Sequence, residues 1–232
     1  MDRREFNSLW VPALMVGMTA MNGNAATWQD LTQSEALQGM KEALRKGAAS
    51  AVSQLGRRNG FWGNERVRIE LPAQLQDAAN WMRKLGQGDK VDDLVHTMNL
   101  AAEEAVPMAA SMLEAAVRGM SAADAKKILQ GGETSVTEFF AEKTRRPLGK
   151  KFEPIIKKTT QKHDLASKYN DVAGRAAGLG LVRQEDARIE DYVGRKALDG
   201  LYFMIGEEER KIRRNPVGAG SALLSKVFGN IR

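Results

Sequence analysis

Asp92, His96, Asn99 and Glu103 stand four, three and four residues apart in a stretch otherwise dominated by Val, Leu, Met and Ala. That spacing puts all four on one face of a helix. A row of carboxylate, imidazole, amide and carboxylate could bind a divalent cation or orient a polar ligand. A single helix face cannot surround an ion, so a metal would need further ligands from elsewhere. The plainer alternative is the one solvated edge of a buried helix.

A second candidate is electrostatic. Residues 141–170 hold nine Lys and Arg against Glu142, Glu153 and Asp164, and this excess accounts for the whole chain's net charge of +6. Lys150-Lys151 and Lys157-Lys158 lie about two turns apart and can share a face. With Arg145 and Arg146 they form a basic surface that would attract phosphates or other anions. Only Phe152 and Tyr169 interleave the cations, too few aromatics for a single-strand stacking platform. The alternative is a solvated basic face that aids solubility.

Glu208 is the third candidate. It falls on an apolar stripe formed by Val193, Ala197, Leu201, Met204 or Ile205, and Ile212. A carboxylate there needs a partner or its pKa rises. A structural salt bridge is the expectation, with Glu207–Lys211 and Glu209–Arg213 as flanking pairs on the wet side. No P-loop, nucleophile elbow, His-Glu-x-x-His or dinucleotide fingerprint occurs, and Gly-Gln-Gly at 86–88 follows no strand. No cofactor is implied. With no cysteine, disulfides, thiolate metal sites and a Cys nucleophile are excluded.

The elements that must position these groups read as helices. Alanine, Glu, Lys and Arg dominate 232 residues that contain only six prolines. Thr32 to Glu35 reads as a capping box, and Leu37, Met40, Leu44, Ala48, Val52 and Leu55 make an apolar stripe ending at Gly56. Residues 56–71 break the pattern. Glycines frame Phe61-Trp62, and Val67, Ile69 and Leu71 alternate with Arg68 and Glu70, which predicts an extended peg packed on helices. Pro72 opens a helix to Leu85, and Asp89 caps one running to Gly119 with a kink at Pro107. Ser121 to Asp124 opens a short helix closed by Gly131-Gly132. Thr134 or Ser135 opens the next, and Pro147 and Pro154 are expected to divide the basic stretch into separate pieces. Helices over 165–177 and 189–214 follow, and Leu223, Leu224, Val227 and Phe228 suggest a terminal docking turn. The fold class is all-α: an irregular bundle of about seven to nine helices, forming one domain over residues 26–232.

Residues 1–25 read as a cleavable export signal: a charged start, an apolar run from Leu9 to Met21 too short to span a membrane, and small residues at Ala25 and Ala26. Arg3-Arg4-Glu5-Phe6 resembles the twin-arginine export motif. A buried amphipathic first helix is the alternative. Export argues against a genomic nucleic-acid partner and for a periplasmic or secreted protein.

Ala51 to Gly56, Val67 to Pro72, Leu85-Gly-Gln-Gly with Val91 to Leu94, Met98-Asn99, Ala101 to Glu103, and Ala197 to Gly200 through Glu207-Glu-Glu209 to Asn215-Pro216 share a pattern. Together they resemble the bacterial family called domain of unknown function 4197, over roughly residues 31–230. The resemblance implies an exported, helix-rich envelope protein and no particular activity. The sequence departs from the pattern at Arg146-Pro147, where a less basic, proline-free helix is implied. The functional expectation is a non-catalytic binding or interaction protein, its partner an anionic ligand or an envelope protein. The alternative is a metal-dependent or hydrolytic enzyme on the Asp92/His96/Asn99/Glu103 face.

Overall fold

The computed structural model describes residues 33–132, 135–162 and 164–215. The expected export signal, Thr32 of the expected capping box, Thr134 and the expected docking turn at 223–228 lie outside the described residues. Within them the chain forms α1 (Gln33–Leu55), α2 (Gln76–Lys84), α3 (Gly88–Ala105), α4 (Ala109–Arg118), α5 (Ala122–Gln130), α6 (Ser135–Thr160), α7 (Asp164–Gly178) and α8 (Ile189–Arg214). No strand occurs among the described residues, and the fold is all-α. No described helix is long and apolar enough to cross a membrane.

α6 and α8 run antiparallel. Thr144 meets the Tyr202 hydroxyl at 2.8 Å, Arg145 reaches Asp199 at 2.8 Å, and Glu153 lies 3.8 Å from Arg188, so rising numbers on one helix meet falling numbers on the other. Phe140, Leu148, Phe152 and Ile156 of α6 and Val193, Ala197 and Leu201 of α8 are fully buried. α1 adds Met40, Leu44 and Leu55, α3 adds Met98, and α4 adds Leu113 to the same core.

The expected break of the basic stretch does not occur: α6 is one continuous helix of 26 residues with Pro147 and Pro154 inside it. Both prolines are exposed, and so are Lys143 and Lys150, whose carbonyls lose their intrahelical partner. Freed carbonyls on that face can be hydrated, and helices curve convex towards water. Burial of Leu148, Phe152 and Ile156, worth about 1.5–3 kcal/mol each, offsets an interior cost of roughly 3 kcal/mol per proline.

Pro107 does more than kink its helix. A 3₁₀ turn over Val106–Met108 separates α3 from α4. A Cβ added to Gly56 would lie 2.8 Å from Pro107 Cγ, so the stop of α1 is shaped to this turn. Asp89 is not the cap of α3. Gln87 takes that position without a side-chain bond, and Asp89 sits in the first turn, where a carboxylate suits the helix dipole. Pro72 leads into a 3₁₀ turn over Ala73–Leu75 before α2 begins. Ser121 and Asp124 form the expected reciprocal capping box of α5.

Residues 56–71 make a tight loop and then an extended run. Gly60 has no room for a side chain: a Cβ would lie 2.4 Å from the Leu55 carbonyl oxygen. Asn59 takes a left-handed φ of 61°. Phe61 is fully buried beside Gly200, where a Cβ would come within 2.8 Å of the ring. The alternation holds: Val67, Ile69 and Leu71 are buried, while Glu70 is exposed. The Tyr192 hydroxyl donates to the Glu70 carbonyl at 2.6 Å, and burial pushes this phenol up to about 12.

Candidate functional site

The polar line of α3 runs from water into the core. Asp92 and His96 are exposed. Asp92 pairs with Arg83, and His96 stands edge-on to Trp62 with ring centroids 5.2 Å apart. Asn99 and Glu103 are buried, which corrects the expectation of a solvated edge for that half of the line. Asn99 Oδ1 accepts from the Ile69 amide at 2.8 Å, and Nδ2 donates to the Ile69 carbonyl at 2.9 Å. Glu103 accepts from the amides of Asn59 and Phe61 at 3.0 Å and of Trp62 at 3.1 Å. A buried carboxylate is costly without donors, and three converging backbone amides supply them. The line therefore fastens the 56–71 loop to α3. Among the described residues no group of three or more His, Cys, Asp or Glu could hold a metal ion.

The basic candidates share a different fate. Arg146, Lys150, Lys151, Lys157 and Lys158 are exposed and make no ion pair among the described residues. Because α6 is continuous, positions seven apart differ by only about 20° around the axis, so Lys150 aligns with Lys157 and Lys151 with Lys158. Arg145 is set apart from them. It is half-buried, bonded to Asp199, with its guanidinium 5.0 Å from the centroid of the Tyr202 ring.

Glu208 has the partners its position demands. It accepts from Lys211 Nζ at 2.6 Å and from Gln54 Nε2 at 3.1 Å. Burial pushes its carboxyl up, but these hydrogen bonds outweigh that and hold it below the usual carboxylate range. The flanking pairs differ from expectation. Glu207 turns to Arg66 and Arg210 instead of Lys211. Glu209 does pair with Arg213 at 2.6 Å, but the carboxylate is buried and not on the wet side. Arg213 also donates to the Ile128 carbonyl, which ties the end of α8 to α5.

One feature escaped the sequence reading. Between α6 and α8 lies an open groove of about 500 Å³. Positions 145, 149 and 153 of α6 line it opposite positions 190, 194 and 198 of α8. The central position on each side is glycine, and a Cβ on Gly149 would meet nothing within 4 Å. Arg145, paired with Asp199, and Arg146 stand at one end, and Lys150 lies beside the central Gly149. The other end carries Glu153, Glu190 and Asp191 around the single guanidinium of Arg188, at 3.8, 3.7 and 4.0 Å. None of these contacts is short enough to be a hydrogen bond. Lost hydration, opposed by Arg188, pushes the Asp191 carboxyl up, and Glu153 and Glu190 add to the push. In the middle, Arg195 pairs with Asp186, while its Nε is buried without a hydrogen-bond partner. The available signal was Gly149 inside α6 and Gly194 inside α8, the latter one of three glycines in that helix with Gly200 and Gly206.

These features describe an all-α protein in which Asn99 and Glu103 hold the 56–71 loop and a mixed-charge groove opens between α6 and α8. The chain belongs to the DUF4197 family, described as a protein of unknown function, whose sequence pattern matches residues 30–229. No curated protein and no solved structure matches it.

Proposed function

We propose that this protein is exported and acts as a non-catalytic binding protein whose working surface is the basic outer face of α6. The observation that carries the reading is the set of five exposed cations on one helix, Arg146, Lys150, Lys151, Lys157 and Lys158, without ion-pair partners among the described residues. Elsewhere Arg45, Arg66, Arg83, Arg183, Arg195 and Arg213 all face carboxylates. Exposed cations clustered on one helix without facing carboxylates raise the local concentration of anions. The export half of the reading rests on the charged, apolar and small-residue order of positions 1–25. An enzyme built on Asp92, His96, Asn99 and Glu103 has less support, because Asn99 and Glu103 are bonded to loop backbone.

The test is retention of the mature chain on immobilised dextran sulfate as salt rises. Retention should fall steeply with ionic strength, since exposed charges are screened. Reversing Lys150, Lys151, Lys157 and Lys158 to Glu should abolish it at low salt. Unchanged retention of the reversed variant would show that this face is not the anion-binding surface.

A further inference from the structure

We infer that the groove between α6 and α8 is a binding site for a small zwitterion that carries an anionic group and an ammonium about two helical turns apart. At its cationic end the inference rests on the anion-attracting reading of α6; its acidic end is independent of that reading.

Glu185 and Asp186 face Arg195 near the middle and Asp199 pairs with Arg145, but the charges without a close partner are segregated along the groove. Arg146 and Glu153 are seven residues apart on α6, about 10 Å of helix rise. Arg146 at one end and Lys150 beside the centre have no carboxylate partner among the described residues. Three carboxylates share one guanidinium at the other end, each too far from it for a hydrogen bond, and of the three Glu190 accepts from Asn170 Nδ2 at 3.4 Å. A simple anion would gain at one end and be repelled at the other, and a simple amine would meet the reverse. A ligand carrying both charges is favoured at both ends. The ammonium would give Glu153 and Asp191 the close donor they lack, and midway along the buried Nε of Arg195, 3.8 Å from Glu185, has no hydrogen-bond acceptor.

The shape agrees with the charge. A volume near 500 Å³ falls within the range of small-molecule sites. Facing glycines keep the middle of the groove clear, although glycine is a poor choice for a helix interior unless space is needed. Gly194 Cβ would meet only Ile156 Cδ1 at 3.5 Å, and Gly149 Cβ nothing, so packing does not demand either glycine.

Calorimetric titration of the mature chain with ω-aminooctanoate tests this, with octanoate, octylamine and ω-aminobutanoate as comparators. The long zwitterion should bind at least about tenfold more tightly than any comparator. Gly149→Leu should abolish that binding while thermal unfolding stays at or above the wild-type temperature and dextran sulfate retention is kept. Glu153→Gln with Asp191→Asn should reduce the zwitterion to the affinity of octanoate. Lys157→Glu with Lys158→Glu, outside the groove, should weaken dextran sulfate retention and leave the zwitterion bound. No binding by ω-aminooctanoate, equal binding by octanoate, or wild-type binding in folded Gly149→Leu would each overturn the inference, whatever the dextran sulfate result.

Discussion

The side-chain amide of Asn99 brackets the backbone of Ile69, accepting from its N–H at 2.8 Å and donating to its C=O at 2.9 Å. One side chain thus does for the extended run what a neighbouring strand would do in a sheet. Nδ2 also donates to the Val95 carbonyl at 2.8 Å within α3, which fixes the amide's orientation.

Asn99→Leu keeps the volume but leaves a buried N–H and C=O of Ile69 without partners. Each such loss costs about 1–3 kcal/mol, so the variant should lose roughly 2–5 kcal/mol of stability in urea unfolding. A loss below about 0.5 kcal/mol would mean that water or a shifted loop satisfies Ile69 equally well.

Glu208 makes stability depend on pH in a stated direction. Its folded carboxyl is held below the unperturbed value of 4.5. The stability it contributes is therefore fully present above that value and is lost as pH falls through the lower folded one. Glu208→Gln should cost about 0.5–1.5 kcal/mol at neutral pH, since the carboxylate is only partly buried. The gap between variant and wild type should close as pH drops below 4.5. Parallel stability curves across that range would rule out the ion pair.

The prolines of α6 should be a removable burden. Pro147→Ala and Pro154→Ala each restore an N–H to the carbonyl four residues earlier, on an exposed face with room for the change. Each should raise stability by about 1–3 kcal/mol, read as an increase in Tm. No increase would show that the surrounding helix has already adjusted to the ring.

Much of the architecture was legible before any tertiary information. The limits of α8 follow from an apolar stripe ended by Asn215-Pro216, and the α5 cap from Ser121 and Asp124. These signals are local: hydrogen bonds within a few residues and a repeat close to 3.6 decide them. The alternation of Val67, Ile69 and Leu71 likewise announced an extended peg. Proline misled the reading of α6 because its cost is local while the burial that offsets it comes from α8 and α3.

Sequence by itself therefore determined the helical class, most helix limits, the basic excess of residues 141–170 and the row from Asp92 to Glu103. Only tertiary structure decided what those residues face. Spacing places side chains on one side of a helix but carries no information on which neighbour covers it. Packing against the 56–71 loop turned Asn99 and Glu103 into fasteners, and antiparallel pairing of α6 with α8 brought Gly149 opposite Gly194 and opened a groove between charges far apart in the chain.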